Sequence, residues 1–417
     1  MSKTKAAFGV IGFALVVAIA FVTLRGSGAP DTSVFEAEFR AIEEQLAGKE
    51  RDAGAWEALR ARTDAFDAWQ SERYDAMEVA GLDRADLDIT TALLKTDAGD
   101  PVSDASDALA FAYAESSHHE DLHTILDAPG LRASSLMDQT DEPFGLFDDP
   151  IPFGTSMARY EAARMVIAAR AGDHETAVRC ARNIERLADL PLAAPSMVAL
   201  IIRHRATNAL AERTRQLVLE EAMHPDLARA LLDILSRDLA EDRDQAELML
   251  RAEGIVMQRA LAMLYNKDAD PDELGLDTPR RRWVSYDTAS QTMTDWNEQG
   301  VRYVNGGTIA TDPPEFEWAD PDSAPEPAAS LMPAYTNFGE RVFQARALRA
   351  ETIIRLALFL YTQDEPAPPA TLSALEDAGI LESVPADPYA QDGNFVYTRD
   401  PDAPLGYTIQ GAASSNR

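Results

Sequence analysis

SMARYEAARMVIAARAGDHETAVRCARNIERL, residues 156–187, is the stretch on which the fold turns. Met157, Tyr160 and Ile167 recur at helical spacing, Gly172-Asp173 supplies a turn, and Ala177, Cys180, Ile184 and Leu187 mark an apolar stripe on a second helix. Helices joined by so short a turn lie antiparallel. Ala168, Ala169, Gly172 and Ala177 put small side chains beside that turn, which gives the pair a tetratricopeptide-like look. The pattern does not return at a spacing of about 34 residues, so no regular superhelical array is expected. Cys180 is the only cysteine, which excludes an intramolecular disulfide, and its place on the stripe predicts a buried, inert thiol.

Working outward, Pro191 and Pro195 end the second helix, and a long apolar helix runs from about Met197 to Leu219. His224-Pro225 breaks it. Leu227, Leu231, Ile234 and Leu235 then form a further stripe, followed by one more helix to about Leu264. Upstream, Ser33 with Glu36 is a capping-box pattern, and Phe35, Phe39, Ile42 and Leu46 line one helical face. Trp56, Leu59, Phe66 and Trp69 continue the theme, and Asp104 to Asp127 holds one or two more helices. Residues 128–154, with Pro129, Pro143, Pro150 and Pro152, read as an irregular connection. The helical domain thus spans 34–265. Residues 266–335 lose the periodicity and gain prolines and acids, so they read as an acidic, Pro-rich linker or insertion; Arg280, Arg281 and Arg282 beside Trp283 read as a solvated turn. Residues 336–417 hold a long helix, Phe338 to Tyr361, and a tail.

At the other end lies the one run long enough to cross a bilayer, Ala6 to Leu24. Its 19 uncharged residues rise about 28 Å as a helix, close to the roughly 30 Å of hydrocarbon. Lys3 and Lys5 precede it, so residues 1–5 are expected to be a cytoplasmic stub, with 6–24 a transmembrane helix, 25–33 a linker and the bulk extracytoplasmic at a bacterial inner membrane. A cleaved signal peptide, cut near Ser27-Gly28-Ala29, is the rival reading; Pro30 disfavours that cut, and signal h-regions are shorter.

With 70 acidic against 38 basic residues the formal charge is −32, a field that repels phosphate backbones and excludes nucleic acid as an expected partner. Only five of the basic residues are lysines.

The tail carries a distinctive string: Pro368-Pro369-Ala370-Thr371-Leu372, Leu375, Val384-Pro385-Ala386-Asp387-Pro388-Tyr389, Phe395-Val396-Tyr397, then Gly406-Tyr407-Thr408-Ile409 with Gly411. It resembles the soluble part of a type II secretion major pseudopilin, which implies a long helix, a short helix, a Pro-Asp-Pro turn and a small β-hairpin. The residues agree, because Pro385 and Pro388 force a turn and the two β-prone runs flank an Asp/Pro/Gly loop. An isolated hairpin is marginal, so it is expected to lean on the long helix. The whole layout also resembles an uncharacterised group of bacterial membrane-anchored proteins in which helical hairpins precede such a tail. The departures are equally specific. Pseudopilins have a cleavage glycine before Phe-Thr-Leu-Ile-Glu, whereas this chain has Gly9-Val10-Ile11-Gly12-Phe13 and no acid in the apolar run, so processing and assembly as a pseudopilin are not expected. The acidic, glycine-rich loop that can hold calcium in that family is also not found in residues 412–417.

His119-Glu120-Asp121-Leu122-His123 is an H-E-x-x-H string, in which two histidines on one helical face bind zinc and the glutamate activates water. Asp121 is unusual between the glutamate and the second histidine, no third histidine follows at metzincin spacing, and His118 is adjacent, so an exposed polar helix face is the simpler reading. Asp268, Asp270 and Asp272 imitate half a calcium loop, yet its sixth position is Glu273 and its twelfth Pro279. His174, His204 and His224 are isolated and read as surface or structural. No catalytic, cofactor or metal residue is therefore assigned. The expectation is a mainly α, membrane-tethered interaction or scaffold protein with a protein partner and a small C-terminal αββ module. A membrane-anchored zinc hydrolase using His119, Glu120 and His123 is the alternative.

Overall fold

The computed structural model describes residues 33–50, 52–79, 122–132, 150–265, 285–306, 335–365 and 367–412. Ala6 to Leu24, His119 to Asp121 and Asp268 to Asp272 lie outside them. No described helix is long and apolar enough to cross a membrane.

The architecture is mainly α. In chain order the described elements are α1 (Ser33–Ala47), α2 (Ala53–Val79), α3 (Leu122–Leu126), α4 (Pro150–Arg170), α5 (His174–Asp189), a 3-10 turn (Leu190–Ala193), α6 (Met197–Leu219), α7 (Pro225–Leu264), α8 (Tyr286–Asn305), α9 (Tyr335–Asp364), α10 (Ala374–Asp377), β1 (Val396–Arg399) and β2 (Tyr407–Gln410).

The α4–α5 turn closes as the sequence predicts. Gly172 sits at φ +76, its N–H donates to Ala169 O at 3.0 Å, and the Asp173 N–H donates to Ala168 O at 2.8 Å, so the last carbonyls of α4 are satisfied. Asp173 then caps α5, accepting the Thr176 N–H at 3.0 Å. Ala158, Ala162, Ala163, Ala168 and Ala169 of α4 and Ala177, Ala181 and Ala188 of α5 are buried, and these small side chains let the two helices pack closely. Cys180, Ile184 and Leu187 are fully buried on the predicted stripe. Burial pushes the Cys180 thiol well up, which keeps it protonated and unreactive.

Three expectations are corrected. The stripe at 227–235 and the helix ending at Leu264 are one 40-residue helix, α7, because nothing between them breaks a helix and Asp238 and Asp242 in its middle are turned inward. Part of the segment read as linker or insertion is the 20-residue α8, with Ala289, Met293, Trp296, Gly300, Tyr303 and Val304 buried along one face. α8 lies so close to α7 that a Cβ on Gly254 would stand 1.8 Å from Asn297 Nδ2. The helix after the irregular connection also begins at Pro150, earlier than Ser156.

α6, α7 and α9 pack on one another through the centre of the molecule. α1 docks on α7, with Phe39 against Ala252 and Arg259 reaching Glu36 at 3.2 Å. Phe66 and Trp69 of α2 meet Tyr160 of α4 edge-on, at centroid distances of 5.3 and 6.4 Å.

The tail forms the expected short helix, turn and antiparallel hairpin, in register Val396↔Gln410 through Arg399↔Tyr407. Buried Asp387 holds the turn by accepting the N–H groups of Tyr389 and Ala412 at 2.9 and 2.6 Å. Phe395, Tyr407 and Ile409 share a core with Ile353, Ile354 and Ala357 of α9.

Candidate functional site

Where α6, α7 and α9 meet, the core is charged. Arg203 and His204 come from α6, Asp238 and Asp242 from α7, and Arg346 and Arg349 from α9, and all are buried. Spacings of i,i+4 on α7 and i,i+3 on α9 put each pair on one helical face. Asp242 is the hub: it accepts from Arg349 Nη2 at 2.8 Å, from Arg346 Nε at 2.5 Å and from His204 Nε2 at 2.6 Å. Asp238 pairs with Arg203 Nη2 at 2.5 Å and with Arg349 Nη1. Arg346 Nη1 also donates to Val304 O at 2.6 Å, which ties the end of α8 to the cluster.

Burial alone would raise the Asp242 carboxyl, but Arg349, His204 and Arg346 outweigh it and hold it well below the usual carboxylate range. Asp238 is likewise lowered, with Arg349 and Arg203 overcoming burial. Burial draws His204 down despite Asp242, so the imidazole is neutral near pH 7 and donates Nε2–H to the carboxylate. Both side chains are sealed from solvent, and their bond ties α6 to α7.

Arg203 faces two ways. Beyond Asp238 it lines a cleft of about 250 Å³ between α5, α6 and α7, together with Asp189, Thr207, Glu241, Ile184 and Leu210. Its Nε and Nη1 are buried and have no hydrogen-bond partner. Asp189 stands at the mouth, Oδ1 3.9 Å from Arg203 Nη2, with 45 % of its side chain exposed. It lies in a recess where burial, opposed by Arg203, pushes the carboxyl up to about 6.

Of the H-E-x-x-H string, only Leu122 and His123 fall among the described residues. Leu122 is buried, and His123 Nε2 lies 3.3 Å from Thr124 Oγ1. Among the described residues no group of three His, Cys, Asp or Glu is placed to hold a metal. His174 and His224 stack at a centroid distance of 3.9 Å, a contact that their separation in sequence conceals.

The chain matches no protein family, no curated protein and no solved structure.

Proposed function

We propose that this chain is a membrane-tethered interaction protein, held at a bacterial inner membrane by Ala6 to Leu24, with its helical region and tail extracytoplasmic. One observation carries the interaction reading. The inner face of the hairpin is fastened to α9, while the outer face presents the cross-strand pairs Val396↔Gln410 and Thr398↔Thr408, all exposed and uncharged. Val396 is 64 % exposed. On a chain of net charge −32, a charge-free β face lets a protein approach without stripping water from carboxylates, and interface cores are depleted of charged residues. The pseudopilin resemblance of the tail points to a partner in a secretion or envelope system.

The test is site-specific photocrosslinking in intact envelopes. A probe at Thr408 is expected to yield one adduct that disappears in Val396→Glu, whereas a probe at Asp233, on the exposed side of α7, yields none. Equal labelling from both positions, or none from Thr408, would overturn the reading.

A further inference from the structure

A sheet of two strands has two edges, and here the edges differ. The Asp400 N–H donates to Gly406 O at 3.0 Å, which together with the register fixes where each backbone group of the hairpin points. Bonded pairs alternate along an antiparallel ladder, so Thr398↔Thr408 and Val396↔Gln410 bond across the hairpin. The N–H and C=O groups of Tyr397, Arg399, Tyr407 and Ile409 then point out of it, to the edges. On β2 that edge lies against α9, for Tyr407 and Ile409 are buried and Ile409 O accepts from Arg355 Nη2 at 3.3 Å. On β1 the sheet ends. Among the described residues nothing bonds to the outward N–H and C=O groups of Tyr397 and Arg399, and Val396, Thr398 and Arg399 are exposed.

Such a row of donors and acceptors, two residues apart, is a template for another strand. The side chains beside it do not stand in the way. Tyr397 Oη donates to Pro369 O at 2.8 Å and Arg399 Nε to the same oxygen at 2.9 Å, which draws both to the inner face, where Pro369 is buried. The same bonds hold β1 extended before anything joins it, so less ordering is needed on binding.

Charge selects the strand. Asp392 precedes β1, Asp400 and Asp402 follow it, and Glu376, Asp377 and Glu382 are exposed elsewhere on the tail. Arg399 is the one basic residue between 367 and 412, and the Pro368 and Pro369 carbonyls engage its guanidinium. A second copy of β1 would bring the same acids and be repelled, whereas a strand with a basic residue beyond each end meets acids at both. Between those ends the outer face offers Val396 and Thr398, which pair best with uncharged β-branched neighbours.

We propose that β1 receives an antiparallel strand of a partner protein, bonded through the backbone of Tyr397 and Arg399, with uncharged β-branched residues on the outer face and a Lys or Arg beyond each end. This rests on the interaction reading and specifies how the partner is held.

The test titrates the full chain in detergent with the peptide acetyl-Lys-Val-Thr-Val-Thr-Lys-amide and follows amide hydrogen exchange along β1. Saturable binding with a Kd of about 1 mM or tighter is expected, and exchange at the Tyr397 and Arg399 N–H groups should slow at least about tenfold while Thr398, already bonded across the hairpin, changes less. Lys-Pro-Pro-Pro-Pro-Lys keeps the charge without a central N–H, and Glu-Val-Thr-Val-Thr-Glu keeps the core with the opposite charge; each should bind at least about tenfold more weakly. Arg399→Pro deletes one outward N–H and leaves the hairpin's own bonds, so it should bind at least about tenfold more weakly than Arg399→Ala, which loses the same guanidinium contacts. Should the proline variant lose the hairpin, seen as fast exchange at Thr398, the protection pattern of the parent decides. No saturable binding, a control peptide that binds as tightly, or protection that bypasses Tyr397 and Arg399 would each overturn the proposal. The peptide needs no native partner, so its failure leaves a Thr408 crosslink standing, and a missing Thr408 adduct sinks the interaction reading by itself. A Thr408 adduct that survives in folded Arg399→Pro would place the partner on the outer face without edge pairing, and the proposal would fall.

Discussion

Arg349 and Asp242 meet at 2.8 Å with neither side chain exposed, although 107 residues separate them in the chain. Taking two ions out of water costs several kcal/mol each, so the contact persists only because further bonds complete both groups. Arg349 Nε donates to Ala345 O at 3.2 Å and Nη1 reaches Asp238, while Asp242 spends its second oxygen on Arg346. The cluster therefore specifies one mutual register of α6, α7 and α9, since a slide of one turn along any of them would strand a buried charge.

The first prediction concerns that hub. Asp242→Ala removes the acceptor from Arg346, His204 and one arm of Arg349 together, and should lower stability by about 3–5 kcal/mol, as expected for an uncompensated buried charge. Arg251→Ala removes an exposed i,i+4 pair with Glu247 and should cost about 0.5 kcal/mol or less. Urea unfolding of both variants measures the contrast. A loss below about 1 kcal/mol for Asp242→Ala would show that water can enter and replace the carboxylate.

A second prediction uses Asp189, whose carboxyl is raised by burial to about 6 from 3.8. The folded chain then holds a proton that the unfolded chain has released between those values, so this residue's contribution to stability falls as pH rises through that window. It is faced by Glu185 and Arg186 of its own helix, Arg203 of α6 and Asp238 of α7. Asp189→Asn does not titrate there. The variant should gain on the parent as pH rises from 4 to 6 and hold a constant advantage above that, read as the difference in melting temperature. Asp238 and Asp242 act with the opposite sign: their contribution is present above the ordinary carboxylate value and lost as pH falls through their lowered ones.

A third prediction rests on Glu221, which ends α6 at φ +55, the one non-glycine residue in the left-handed region among those described. The Ala222 N–H donates to Leu217 O at 3.1 Å, the same closing bond that Gly172-Asp173 makes after α4. A Cβ in that conformation costs about 1–2 kcal/mol, and glycine's greater unfolded entropy returns about half of it. Glu221→Gly should therefore stabilise by about 0.5–1 kcal/mol in urea unfolding. A loss of stability would mean that the Gln216 and Arg170 bonds to Glu220 depend on the neighbouring side chain.

These positions show what a sequence discloses. α6 is read to its ends because Pro191 and Pro195 break the chain before it and His224-Pro225 breaks it soon after Leu219, and such end signals are local. The hairpin is equally plain, since β-prone runs and a Pro-Asp-Pro turn act over a few residues. The continuity of α7 is not. Its middle, SRDLAEDRDQ at 236–245, has the composition of a solvated connection, and only a partner helix far along the chain reveals that Asp238 and Asp242 are interior. A buried charge is written with the same letter as an exposed one. Spacing offered the one clue, for Leu231, Leu235, Asp238, Asp242 and Met249 fall on one helical face. The cleft is hidden for the same reason: Arg203 acquires meaning only when α5 and α7 are set beside α6.

The last prediction asks whether the tail belongs to the fold or hangs from it. Two strands of four residues do not hold together alone in water, so the hairpin's stability resides in what it covers. Phe395, Tyr407 and Ile409 share a core with α9, and Arg355 Nη2 donates to Ile409 O at 3.3 Å. Ending the chain after Asp364 would bare that side of α9, and the shortened protein should aggregate or melt at a lower temperature. Point variants separate covering from mere attachment. Ile409→Ala removes side-chain atoms from a site 4 % exposed and should cost about 2–5 kcal/mol, whereas Val396→Ser on the outer face should stay within about 0.5 kcal/mol. If truncation leaves the melt unchanged and Ile409→Ala is as mild as Val396→Ser, the hairpin is an appendage and α9 is stable without it. If both inner-face changes are severe, the hairpin is part of the core, and its outer face is held in place firmly enough to present one surface to a partner.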